Sequence, residues 1–387
     1  MRSNSFIATL LLAFVLFGKQ SFCQTLPLTI KASLPPVLTE SSGLVATSKN
    51  SIWSHNDNSG NAELYNFDST GTLQRTLKIL NATNTDWEDL TKDTAGNFYI
   101  GDFGNNGNTR QDLKIYRIPN LENITADSVV ADTIAFSYPD QFAFPPPDSL
   151  KNFDSEAFLA YNDSLYVFSK SWSTPFSGYT KLYRLPSVPG NYVAELIDSF
   201  YTGPGPAIIY SITGAGISPA QNRVILIGYK KCWLFTDFTE ANFFSGNCHV
   251  FDIADLTQKE AVCFISSAEI YISDEGSSGS GQKLYYHNFQ PFLSADIHEA
   301  ENMHFSIFPN PFGETITIKL NPIELTDLKV VIFDNSGRLL YKKSIPDNEN
   351  EIHIKTSDFS DTTRAYYFIG LQQNNSLLFL KRILRKP

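Results

Sequence analysis

The chain has 387 residues, with 30 Phe, 18 Tyr and a formal net charge of −10. That length admits more than one domain and a large core, and so aromatic a composition suits folded β structure and excludes a disordered chain. Residues 24–300 carry 17 basic and 30 acidic side chains, −13 in all, which argues against a nucleic-acid partner and is compatible with cation binding.

In chain order, residues 1–23 read as a secretory signal: Arg2 supplies the positive start, residues 6–17 an apolar stretch, and Ser21-Phe22-Cys23 a cleavage site before Gln24. The alternative at this end is an N-terminal membrane anchor. After it no apolar run is long enough to span a bilayer, so no transmembrane segment is expected once the signal is removed. Cys232, Cys248 and Cys263 then remain. Three thiols make no disulfide framework, although a Cys232–Cys248 bridge stays open. No CxxC or HxxxH spacing points to zinc.

A repeat follows. DLKIYRIP at 112–119 returns as TKLYRLP at 180–186, and a longer unit aligns around it. Each unit opens on a short step: SSGL (41–44), WEDL (87–90), SEAF (155–158), GAGI (214–217) and KEAV (259–262). An alternating strand comes next (IWSHN, FYIGD, LYVFS, VILIG, IYISD), then a third (ELYNF, KIYRI, KLYRL, CWLFT, KLYYH). Fourth strands are expected near 73–80, 129–138, 192–201 and 248–253, and the fifth unit lacks one. The repeat predicts an all-β chain whose residues 24–290 form a β-propeller of five four-stranded blades, the orphan strand at 26–35 completing the last. Six blades is the alternative, with extra strands hidden in residues 119–154.

Residues 291–303 read as a linker, and 304–387 as a small β-sandwich built on FSIFPNPFGETITIKL, VVIFDNSGRLL, IHIKTSDFSD and AYYFIGL. Phe308-Pro309-Asn310-Pro311, that hairpin and the basic-apolar end Lys381-Arg382-Ile383-Leu384 resemble the C-terminal sorting domain of type IX secretion cargo in Bacteroidetes; Ala365-Tyr366-Tyr367 departs from the family's usual Gly-x-Tyr. The resemblance implies passage through the periplasm to the outer surface or medium, with the type IX machinery as partner. An ordinary Ig-like ligand-binding module is the alternative. The stretches SSGL…HNDNSG, DWEDL…GNFYIGDFGNN and DSEAF…LYVFSK resemble secreted bacterial propellers of unassigned activity, and the Glu-Ala-apolar step is distantly similar to esterase-like phytase and gluconolactonase propellers.

In a meander, the start of strand one and the end of strand two share a face. That places Glu88, Glu156 and Glu260 at one axial mouth as catalytic candidates. Asn56, Asp57, Arg110, Lys170, Trp172 and Tyr229 are candidates for binding a ligand, and Asp89, Asp102, Asp274 and Glu275 for binding a metal. Converging carboxylates repel, and Ca²⁺, which takes six to eight oxygens, relieves that; pairing with Lys170, Arg110 and backbone amides is the competing explanation. No GxSxG, HExxH or P-loop is present. Two functions stay open: a calcium-dependent phosphoester, ester or lactone hydrolase, or a non-enzymatic module binding an extracellular glycan, peptide or protein.

Overall fold

The computed structural model describes residues 24–57, 60–276, 281–290, 305–320, 328–334, 339–346, 349, 351–359, 366–373 and 376–385. The expected signal and linker, and most of the Ser/Gly loop near 276–281, lie outside the described residues.

The N-terminal region is a β-propeller. Its five sheets each begin with an innermost strand: Ser41–Ser48, Trp87–Lys92, Asp154–Tyr161, Gly214–Ile217 and Lys259–Phe264. The second strands are Ser51–Asn56, Phe98–Asp102, Ser164–Lys170, Arg223–Ile227 and Glu269–Asp274. The thirds are Glu63–Phe67, Lys114–Ile118, Tyr179–Pro186, Lys231–Thr236 and Lys283–Asn288. Four outer strands follow in sequence: Leu73–Ile79, Asp132–Ser137, Glu195–Tyr201 and Asn247–Ile253. The fifth sheet is completed by Thr29–Ser33, antiparallel to Lys283–Asn288. Residues 119–154 hold no additional sheet.

Both faces of these strands are apolar because each sheet packs on two neighbours. Alternate residues of one strand therefore enter different cores: Val224 and Leu226 join the cluster between the third and fourth sheets, Ile225 and Ile227 the cluster between the fourth and fifth. A further cluster unites Leu44, Ile52 and Tyr65 of the first sheet with Ala261, Tyr271 and Leu284 of the fifth. The innermost strands accordingly contact one another in a closed cycle.

Two outer strands differ from expectation. The segment at 129–138 divides: Ser128–Val129 pairs in parallel with the first sheet's outer strand, and only Asp132–Ser137 belongs to the second sheet. Between the two pieces the Asn81 amide, distant in sequence, holds both the N–H and the C=O of Ala131. The segment at 192–201 divides likewise, with Gly190–Val193 paired to the second sheet and Glu195–Tyr201 to the third. Gln24–Leu26 repeats the device against Asn247–Ile253 just before the closing strand. The cysteines are free; Cys232 stands opposite Phe251 and Cys248 opposite Phe235 in the ladder, so the Cys232–Cys248 bridge does not form.

The tail forms two sheets on one core. The first has Phe305–Phe308, Thr315–Leu320 and Glu351–Lys355; the second has Leu339–Ser344, Leu328–Phe333, Tyr366–Gln373 and Ser376–Leu384. Ile316, Ile318 and Ile354 of one meet Val330, Ile332 and Ile369 of the other.

Candidate functional site

Four of the five innermost strands carry a β-bulge near their start, and in three of them the skipped residue is a glutamate. The register jumps from Trp87 to Asp89, from Ser155 to Ala157 and from Lys259 to Ala261, leaving Glu88, Glu156 and Glu260 outside the ladder. A bulge re-aims its extra residue. The result is that the three glutamates, all buried, act electrostatically on one another: Glu156 on Glu88, and Glu260 on Glu156. The fourth innermost strand is regular, and in the first the skipped residue is Gly43.

Lys170, at the end of the third sheet's second strand, forms an ion pair with Glu156 Oε1. The Tyr229 hydroxyl donates to Glu260 Oε1 at 2.8 Å. The Lys170 ammonium lies 5.2 Å from the Trp172 ring centroid and 5.9 Å from that of Tyr229. Burial works against this ammonium, yet Glu156, Glu260, Tyr229 and Asp154 hold its pKa well above the usual lysine value. Burial raises Glu156 and Glu260, with Lys170 opposing in both. Burial first, then the carboxylates of Glu156, Asp57, Asp154 and Asp86, push Glu88 well up. Glu156 Oε2 is buried and has no hydrogen-bond partner among the described residues.

Beside this cluster, ligand oxygens of Asp57, Asp86 and Glu88 lie within 4.8 Å of one another. Asn84 sets the spacing. Its amide donates to the carbonyls of Asn56 (3.0 Å) and Asp57 (2.7 Å) and accepts from the Trp87 N–H at 3.1 Å, joining the first sheet to the second. Gly104 faces the carboxylates: a Cβ there would stand 2.0 Å from Glu88 Oε1 and 2.5 Å from Asp86 Oδ2. Burial and Asp154 raise Asp86 to about 6. Burial, then Glu260, Asp57 and Glu40, raise Glu275 to about 8.

The other expected residues have structural bonds. Asp89 Oδ1 accepts from the Leu90 N–H (2.8 Å) and Oδ2 from the Phe158 N–H (3.0 Å), tying the second and third innermost strands together. Asp274 accepts from the Lys283 N–H at 2.8 Å and the Tyr285 hydroxyl at 2.7 Å. Asp102 pairs with Arg110 at 2.9 Å, and Arg110 also donates to the Gly104 carbonyl, holding that loop against the site. The Asn56 side chain bonds the Val37 carbonyl and the Glu40 N–H. Trp172 is partly exposed, its indole N–H donating to Asp154 Oδ2 at 2.5 Å. Asp86, Asn84 and Gly104 were not among the expected residues. The acidic run Asp86-Trp87-Glu88-Asp89 was the available signal for the first.

Residues 306–385 match the family model of the Secretion system C-terminal sorting domain. The chain is secretion cargo. Its tail directs it to the cell surface or the medium, and no helix among the described residues is long and apolar enough to cross a membrane. A search of curated proteins finds no match. Solved structures similar to the chain include PQQ-bound aldose sugar dehydrogenase from Streptomyces coelicolor, at 10% identity and TM-score 0.42, covering 67% of this chain and 98% of that one. PorZ, a surface component of the type-IX secretion system of Porphyromonas gingivalis, has 13% identity and TM-score 0.34; the match covers 90% of this chain but 45% of PorZ. A protein assigned as a gluconolactonase has 10% identity and TM-score 0.38, with 69% and 92% covered.

Proposed function

We propose that the exported propeller is a calcium-dependent hydrolase acting on a phosphoester, ester or lactone at the acidic axial mouth. The observation that carries this reading is the convergence of Asp57, Asp86 and Glu88. The donor set suits the ion, since Ca²⁺ prefers carboxylate oxygens. The missing Cβ of Gly104 leaves room beside two of the ligands, and the neighbouring Glu156 Oε2 has no hydrogen-bond partner among the described residues. Asp57, Asp86 and Glu88 would hold the ion, which when bound polarises a substrate oxygen.

The chain's own groups supply the remaining chemistry. Glu156, which burial raises against the pull of Lys170, is the candidate acid toward a leaving oxygen. Glu260, fixed by the Tyr229 hydroxyl, is the candidate for drawing a proton from water. Lys170 stays cationic and offers N–H donors to a developing negative charge.

Calcium at a hundredfold excess over its dissociation constant should stabilise the protein by about 2.7 kcal/mol. Asp86→Asn with Glu88→Gln should remove that gain, and so should Gly104→Ala, while the fold persists by circular dichroism. A panel of chromogenic phosphoesters, esters and lactones, run with calcium and with chelator, then reads turnover. Equal melting temperatures in calcium and chelator would overturn the metal site. Calcium binding without turnover favours the second reading, a binding module. That reading draws on Trp172 beside Lys170 and on exposed Phe142 and Phe144, in the segment that leads into the third innermost strand, which would contact a glycan, peptide or protein.

A further inference from the structure

The other end of the propeller axis holds a separate cavity of about 420 Å³. Its walls are the C-terminal halves of four innermost strands and the turns after them: residues 44–48, 90–94, 215–219 and 262–265, with Gly96 and Gln221. Glu88 and Glu260 stand at the opposite ends of two of these strands, and the two sites share no residue. The volume lies within the range of small-molecule sites.

The chemistry of this cavity contrasts with that of the acidic mouth. Its deeper wall is apolar, from Leu44, Leu90, Val262 and Phe264. Asp93 is its one carboxylate, and that group is engaged: it accepts from the Asn97 N–H at 2.9 Å, the Asn97 amide at 2.6 Å and the Tyr99 hydroxyl at 2.9 Å. Lys92 is its one cation and has neither a carboxylate nor a hydrogen-bond partner among the described residues. Cys263 also lines the wall; burial pushes its thiol up to about 12, so it adds no negative charge. A cavity with an apolar floor, a saturated acid and an unpaired ammonium is complementary to an oxyanion on a short apolar body. Repulsion by the acidic mouth would leave such a ligand this end of the axis alone.

We propose that this cavity is a second ligand site, for a small organic carboxylate or phosphate anchored by Lys92. The proposal is independent of the hydrolase reading. The test uses the full chain with calcium held constant, and isothermal titration with benzoate, inorganic phosphate and the uncharged analogue benzyl alcohol. At least one anion should bind no less than tenfold more tightly than the alcohol. Lys92→Gln should lose that tenfold preference, and Lys92→Arg should keep it. Thr94→Trp, an exposed position at the rim, should obstruct entry without disturbing the core. Tighter binding of phosphate than of benzoate assigns the site to phosphates, and the reverse to carboxylates. Equal binding of anion and alcohol, or undiminished anion binding by a folded Lys92→Gln variant, would overturn the proposal.

Discussion

Glu88, Glu156 and Glu260 are costly residues to bury together, and the bulges that hold them there leave a signature in pH dependence. Glu275 rises from an ordinary 4.5 to about 8 through burial and then Glu260, Asp57 and Glu40; Asp86 rises from 3.8 to about 6 through burial and then Asp154. An acid that binds its proton more tightly when folded contributes stability below its unfolded pKa and loses it as pH rises through the folded value. Without calcium, stability should therefore fall as pH rises from about 4 to about 8, the Glu275 contribution disappearing last. Melting temperatures in chelator across that window check this, and Glu275→Gln should flatten the upper half. A profile that is level or rising contradicts it. The glutamates were legible in the sequence because each stands in the short step that opens a unit: WEDL, SEAF and KEAV. The bulges were not, because a one-residue register slip leaves the hydrophobic alternation on either side intact. Asp89 and Asp274 looked equivalent to the glutamates, yet they lie in the ladder rather than outside it, and turn to backbone and tyrosine donors.

Strands find their sheets by more than their own pattern, as the outer strands show. Three times a short segment pairs in parallel with one sheet just before the chain enters the outer strand of the next: Ser128–Val129, Gly190–Val193 and Gln24–Leu26. Each laces neighbouring sheets at the rim. Alternation alone reads such a segment and the strand after it as one, since only Asn81, some 50 residues away, marks the break at Ala131. The closing strand was legible because the fifth unit visibly lacked a partner. Its removal gives a prediction at this scale. Deleting residues 24–33 takes away the ladder to Lys283–Asn288, the parallel pairing to Asn247–Ile253 and the burial of Leu26. Ladder bonds contribute about 1 kcal/mol each and a buried leucine about 2 kcal/mol. The loss is a large part of a margin of about 5–15 kcal/mol, and the melting temperature should drop on the order of 10 °C. An unchanged melting temperature would show that these strands do not carry closure.

At the scale of the whole molecule, the two halves place opposite demands on the chain. The propeller closes on itself: its last sheet takes in Thr29–Ser33 from the N-terminal side of the first sheet, so no internal truncation spares the ring. The tail depends on no strand outside itself, and among the described residues no ladder joins its two sheets to the five of the propeller. Its core, from Ile316 and Ile354 to Val330 and Ile369, is likewise drawn from residues after 305. The sorting-domain match falls within the same stretch, at 306–385. Folding and export should therefore be separable by one cut. A chain ending at residue 304 should keep the propeller's melting transition and its calcium response, but should accumulate in the periplasm instead of reaching the surface or medium. Fractionation of cells expressing the full and shortened chains reads the second outcome, and calorimetry of the purified proteins reads the first. Normal surface or medium yield from the shortened chain would remove the tail's sorting role. A shortened chain that no longer melts cooperatively would mean that the tail supports the ring through contacts other than strand pairing.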